Sequence, residues 1–185
     1  SLNQLTWQET PDAGNSRFYY NYKEQLRLSQ NAKQKAAATP EYSYTKYDVH
    51  SRISEVGWFA SSEPLADLVE KINQPDFPAE ADYELKEITR TFYDLPATTI
   101  PVAFEQQYLR SRVSYVQVWE DETTLQTSTY YSYDPHGNVE SLLQDIPGLE
   151  PKRMDYVYDL ASGNVNYVMY QYGQPDQLMH RYRYD

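Results

Sequence analysis

The sequence predicts an all-β fold: a curved antiparallel sheet of β-hairpin repeats, a partial β-shell, with one short inserted helix. Three observations predict it. The dipeptide Tyr-Asp recurs at Tyr47-Asp48, Tyr93-Asp94, Tyr133-Asp134, Tyr158-Asp159 and Tyr184-Asp185, at steps of 46, 40, 25 and 26 residues. Such a period of about 25 with two insertions marks a repeat architecture. Between the dipeptides, apolar and aromatic residues alternate with polar ones, as in strands with two unlike faces. The composition also counts 20 Tyr against five Phe and three Trp. A tyrosine buries its ring while its hydroxyl stays in water or on a partner, which suits a sheet with one damp face.

Each element follows from local chemistry. In Arg153 to Asp159, the residues Met154, Tyr156 and Tyr158 share a face; in Leu178 to Tyr184, Leu178, His180, Tyr182 and Tyr184 do. Val165 to Tyr172 is rich in Tyr and Val and breaks at Gly173-Gln174-Pro175-Asp176, a turn signal. An Asp closing a strand accepts bonds from backbone N–H groups about two residues on and so starts a turn. A following glycine supplies positive φ. Asp134-Pro135-His136-Gly137-Asn138-Val139 fits this pattern, and Asp159 to Val165 fits it with one extra residue and Gly163 in the glycine place. Asp48-Val49-His50-Ser51-Arg52-Ile53 has Ser51 there instead, which predicts a strained turn or one of another type.

The spacing of Leu65, Leu68, Val69 and Ile72 predicts a short helix within residues 61–73, with Ser62 as N-cap and Pro64 in its first turn. The segment from Leu95 to Gln107, opening on Pro96 and Pro101, reads as irregular, and alternation returns over Arg112 to Trp119. Counting back 25 from Asp48 places a degenerate first copy at Tyr22-Lys23. The chain is expected to form a single repeat domain over residues 1–185, with repeats near 17–41, 42–60, 83–95, 110–143, 152–172 and 176–185 and an insertion at 61–82.

Charge and composition narrow the function. With 16 Lys and Arg against 27 Asp and Glu the net charge is −11, and no basic stripe offers itself to nucleic acid or an anionic membrane. No apolar run reaches the length of a spanning helix, so no membrane insertion is expected. With no cysteine, neither disulfides nor a thiolate zinc site is possible. His50 and His136 sit two residues after their aspartates and read as duplicated turn residues, while His180 lies in a strand; no cofactor or metal is expected. Glu120-Asp121-Glu122 lacks the spacing of a calcium loop and reads as solvated charge. The recurring aspartates each have a turn to build, and no nucleophile motif is present, so the chain is read as non-enzymatic.

With Tyr133-Asp134-Pro135-His136-Gly137-Asn138-Val139, Tyr158-Asp159 and Tyr182-Arg183-Tyr184-Asp185 in hand, the chain resembles the YD-repeat proteins of the Rhs, teneurin and toxin-complex group, in its long-repeat bacterial form. The resemblance is strongest over residues 126–185. It implies a hairpin ribbon that spirals into a hollow shell around a C-terminal toxin or other cargo, in a secreted or cell-surface protein whose neighbouring repeats are this segment's partners. The DPxGL-like signature that ends such shells is missing. Asp145-Ile146-Pro147-Gly148-Leu149 has similar letters in another order, in mid-repeat, and reads as an ordinary turn. The structural repeat residues are thus Tyr47, Asp48, Tyr93, Asp94, Tyr133, Asp134, Gly137, Tyr158, Asp159, Gly163, Tyr184 and Asp185, with six partial repeats in an internal segment. The alternative expectation is a carbohydrate-binding cell-surface module that stacks sugars on its tyrosine rows.

Overall fold

A computed structural model describes residues 4–185. Among the described residues twelve strands follow one another in a single antiparallel sheet in chain order, β1 to β12, so each strand pairs with the one before and the one after it in sequence. They are β1 (Trp7–Thr10), β2 (Gly14–Tyr20), β3 (Leu26–Gln30), β4 (Glu41–Tyr47), β5 (Ile53–Ala60), β6 (Leu85–Tyr93), β7 (Val113–Asp121), β8 (Leu125–Tyr133), β9 (Val139–Asp145), β10 (Lys152–Tyr158), β11 (Val165–Tyr170) and β12 (Leu178–Arg181). Two short helices interrupt them, α1 (Ala32–Lys35) and α2 (Leu65–Lys71). The all-β sheet with a short helix in the first insertion is the fold the sequence predicts.

The chain divides into two compact units. One holds the chain up to Arg90 together with Trp119–Thr124, the other Thr91–Val118 together with Leu125–Asp185. In the first unit, alternation along β4 and β5 puts Tyr42, Tyr44 and Phe59 on one face, where α2 and the segment after it cover them. Phe59 is fully buried against Tyr83 at 4.7 Å between ring centroids, Tyr42 at 5.8 Å and Phe77 at 6.0 Å. Truncating such a ring to Ala costs about 3–5 kcal/mol.

Helix α2 has the predicted apolar stripe, with Leu68 and Ile72 buried and Leu65 and Val69 packed on the same cluster. Its N-cap differs from expectation. Pro64 occupies the cap and no side chain caps the helix. Ser62 is two residues too early to serve, and it is Ser61 whose hydroxyl accepts a bond, from the Glu63 amide at 3.1 Å. The segment is fastened from below by Arg27, whose buried guanidinium donates to the carbonyls of Gln74 at 3.2 Å, Pro75 at 3.3 Å and Phe77. Helix α1 is a single turn held by a capping box between Asn31 and Gln34.

In the second unit the face opposite the YD tyrosines has a floor of small buried side chains, Ser114, Ser128, Ser132 and Ser141, beside Tyr130 and Leu143. Their size lets a backbone segment approach. The irregular stretch ahead of β7 lies across this floor as a strap. Its Gln106 amide nitrogen contacts the Ser114 carbonyl at 2.7 Å and the Tyr131 carbonyl at 3.0 Å, and the Tyr133 amide donates to the Gln107 carbonyl at 3.1 Å. At the end of β9, Ile146-Pro147-Gly148-Leu149 is a turn closed by the Leu149 amide on the Ile146 carbonyl at 2.9 Å, with Gly148 at φ 85°. Pro at its second and a positive-φ Gly at its third position make it type II.

Candidate functional site

The recurring feature is the turn that follows the even-numbered strands β2, β4, β6, β8 and β10. After β4, the Asp48 amide donates to the Arg52 carbonyl at 2.8 Å and the Ser51 amide to the Asp48 carbonyl at 3.0 Å. The Asp48 carboxylate accepts from the amides of His50 at 2.8 Å and Arg52 at 2.9 Å. After β8 the same bonds recur, from Asp134 to the Asn138 carbonyl at 3.0 Å and from Gly137 to the Asp134 carbonyl at 3.1 Å. There the Asp134 carboxylate accepts from the amides of Gly137 at 2.7 Å and Asn138 at 2.9 Å. After β10, Asp159 bonds the Asn164 carbonyl at 2.8 Å and Gly163 bonds the Asp159 carbonyl at 2.9 Å. In each hairpin the register shifts just before the tyrosine, at Lys46/Tyr47, Ser132/Tyr133 and Val157/Tyr158. The bulge absorbs the odd residue of the loop.

Ser51 sits at φ 63°, in the left-handed region that Gly137 at 100° and Gly163 at 71° occupy. Its turn has the same backbone hydrogen bonds as the Gly137 turn, whereas the Gly163 turn is one residue longer. Of the two outcomes expected for this turn, it is therefore strain that the structure holds and not a different type.

The first copy lies two residues earlier than counting placed it. Tyr20-Asn21 is the copy: the Asn21 amide donates to the Gln25 carbonyl at 3.0 Å, and its side-chain oxygen accepts from the amides of Lys23 at 3.0 Å and Gln25 at 2.9 Å. Glu24, at φ 65°, takes the glycine place. Asn supplies the same acceptor as Asp, and an Asn in a Tyr-x context was the signal that a search for Tyr-Asp passes over.

Asp94 opens the one long turn. Its amide donates to the Arg112 carbonyl at 3.1 Å, as Asp48 does to Arg52, and its carboxylate accepts from the Ser111 amide at 2.6 Å. The strap is thus an insertion inside a Tyr-Asp turn, whereas the segment with α2 is inserted at the opposite end of the hairpin.

The tyrosines fasten one copy to the next. The hydroxyl of Tyr47 donates to the Leu26 carbonyl at 3.1 Å, Tyr133 to Val113 at 2.8 Å, Tyr158 to Val139 at 2.9 Å and Tyr184 to Val165 at 2.9 Å. Every acceptor is the first residue of the strand that leaves the preceding turn. Tyr20 makes a related bond to the Leu5 carbonyl at 3.0 Å. Burial pushes the hydroxyls of Tyr47, Tyr133 and Tyr158 above their ordinary pKa, so they stay protonated donors. Asp185 follows Tyr184 and is exposed.

The aspartates are acceptors throughout. Partial burial works against the Asp48 and Asp134 carboxylates, yet bonds from Arg52 and His50 in one case, and from Asn138, Gly137 and His136 in the other, hold both below the usual value. Bonds from Ser162 and Ala161 lower Asp159 as well. In Glu120-Asp121-Glu122, Asp121 is lowered to about 2 by Thr123 and Thr124, whose amides it accepts in the β7–β8 turn, and Glu122 accepts from the Leu85 amide at 2.8 Å. Among the described residues no three His, Asp or Glu side chains gather as metal ligands.

On the YD face of the second unit β8 and β10 each carry a Tyr-x-Tyr pair and a third follows β12, with ring centroids 6.5 Å apart at Tyr131–Tyr133, Tyr156–Tyr158 and Tyr182–Tyr184. Tyr133 is buried, whereas Tyr182 and Tyr184 are exposed.

No protein-family model matches the chain, and no curated protein matches it. Solved structures do. A crystal structure of TcdB2-TccC3-TEV is 12% identical at a TM-score of 0.27, with 97% of this chain and 11% of that chain covered. One of TcdB2-TccC3-Cdc42 is 12% identical at 0.23, again with 97% and 11% covered. The Photorhabdus luminescens Tc holotoxin pore is 11% identical at 0.24, with 97% and 11% covered. The chain therefore spans about a ninth of the length of these chains.

Proposed function

We propose that the chain is a non-catalytic wall segment of a large, secreted or cell-surface YD-repeat protein, whose shell encloses or delivers a toxin or other cargo. The observation that supports this most is the serial fastening. Tyr47, Tyr133, Tyr158 and Tyr184 each bond the strand leaving the previous turn, so such a copy is completed by its neighbour rather than by itself. A unit of that kind gains stability by being repeated many times. Translation of the reading frame around this segment tests it. Further Tyr-Asp or Tyr-Asn turns at steps of about 25 residues support the shell, and electron microscopy of the whole product is expected to show a hollow particle with enclosed density. A frame that ends without further copies overturns it.

A carbohydrate-binding surface module is the second reading, favoured by the exposed Tyr182–Tyr184 pair, whose planes lie 19° apart. Saturable binding on a glycan array, abolished by Tyr182→Ala with Tyr184→Ala, supports it. Equal signals from the variant and the native chain overturn it.

A further inference from the structure

We propose that the open sheet face beside the strap in the second unit binds an extended basic peptide. A cleft of about 570 Å³ lies there, walled by the strap at Glu105 and Gln107 and floored by Ser141, Asp155 and Met169, with Tyr172 at its rim. A second cleft of about 510 Å³ shares Arg153 and Tyr172 with it and adds Glu150. The two form one trough, long enough for several extended residues at about 3.3 Å each.

The strap shows what this face accepts. It is itself an irregular chain segment held on the serine floor by main-chain and amide bonds, at Gln107 with Tyr133 and at Gln106 with Ser114 and Tyr131. Ser141 and Ser132 also line the first cleft, where the Ser132 hydroxyl accepts from the Gln107 amide of the strap at 3.0 Å. The occupant's charge follows from the walls. Arg153, the one cation there, is engaged by Asp155 at 2.6 Å and lies over the Phe104 ring at 5.7 Å. Glu105 and Glu140, both exposed on the first cleft, have no salt-bridge partner among the described residues. Lysine or arginine side chains alternating on an extended peptide would meet these carboxylates, while the intervening residues pack on Met169 and Tyr172.

The inference is independent of the shell reading, because binding is measured on this chain alone. Fluorescence anisotropy with a labelled peptide of alternating lysine and valine is expected to give saturable binding that weakens as salt rises. Glu105→Gln with Glu140→Gln should weaken it by about two- to fivefold per carboxylate. The control Glu9→Gln with Asp12→Asn removes the same charge from the first unit and should leave binding unchanged. Tyr172→Ala should weaken binding of the valine peptide and have less effect on a lysine–glycine one. Equal losses from the two double variants would mean attraction to net charge alone and would overturn the proposal, as would equal binding of a glutamate–valine peptide.

Discussion

Three Tyr-Asp turns, each closed by backbone bonds to and from its aspartate and with different residues at the positive-φ position, make a graded test of turn strain. A non-glycine residue in the left-handed region costs about 1–2 kcal/mol, while glycine gives back about 0.5–1 kcal/mol through the entropy of the unfolded chain. Ser51→Gly, at φ 63°, should therefore stabilise by about 0–1 kcal/mol. A methyl group at Gly163 meets nothing within 4 Å, so Gly163→Ala should cost only the strain, about 1 kcal/mol. At Gly137 φ is 100° and the added carbon would stand 2.7 Å from Arg112 Nη2. The guanidinium can swing away, but it then leaves the Tyr133 ring, 5.4 Å from it, and the Tyr108 carbonyl. Those contacts contribute about 0.5–1 kcal/mol each, so Gly137→Ala should cost about 2–3 kcal/mol in all. For a chain of this size that is a drop in Tm of roughly 4–12 °C, against 2–4 °C for Gly163→Ala and no loss for Ser51→Gly. Thermal melts followed by circular dichroism read all three. A loss at Ser51→Gly, or a Gly163→Ala loss as large as that of Gly137→Ala, would refute the common-turn account.

The remaining expectations use the same contacts. Tyr133→Phe removes a buried hydroxyl and orphans the Val113 carbonyl, so it should destabilise by about 1–2 kcal/mol, whereas Tyr184→Phe, at an exposed site, should cost under about 0.5 kcal/mol; denaturant titration separates them, and equal losses would sink the tie as a burial-dependent contact. The folded-state pKa values of Asp48, Asp134 and Asp159 are depressed, so their contribution is complete above the ordinary aspartate value near ~4 and is lost as pH falls through the lowered ones. Asp134→Asn, which mimics Asn21, should keep the turn and flatten part of that acid dependence; an unchanged pH profile would contradict it. Chelator should leave the Tm unchanged, and a shift of several degrees on restoring zinc or calcium would reverse the metal-free expectation. Strand β12, last in the sheet order and exposed throughout, should pair edge to edge with a second copy more strongly as salt screens the charge of −11; sedimentation showing a strict monomer at high salt would count against an open edge.

The parts of the fold legible in the sequence are those fixed within a few residues. Tyr133 to Val139 and Tyr158 to Val165 carry their own acceptor, positive-φ residue and bulge, so the turn can be read without its surroundings. Leu65 to Ile72 shows its apolar stripe for the same reason. Helix α1 was hidden because four residues hold no stripe, and Asn31 with Gln34 caps it from polar side chains alone. The strap was legible only as irregular, since Gln106 finds its acceptors 8 and 25 residues away, at Ser114 and Tyr131. The tyrosine ties were invisible for a similar reason. Their acceptors are backbone carbonyls, which no side chain in the sequence marks.

Where the insertions enter explains why the repeat survives them. The strap opens between Asp94 and Arg112, yet the bond between those two residues is the one that Asp48 makes to Arg52, four residues on, across a short turn. The chain leaves and rejoins the sheet at the same pair of backbone groups, and β6 and β7 remain neighbours in the strand order. The segment carrying α2 enters at the other end of its hairpin, between β5 and β6, where no YD bond is interrupted. Each copy's stability is thus set by its own turn and by the tie to its neighbour, which is the nearest-neighbour logic of repeat proteins. An added segment then has only to cover its own apolar residues, as Leu68 and Ile72 do against Phe59, or to satisfy its own polar groups, as Gln106 does over the serine floor. Variation in such a chain is therefore expected to concentrate in hairpin ends and to spare the tyrosine, the Asp or Asn beside it, and the positive-φ position.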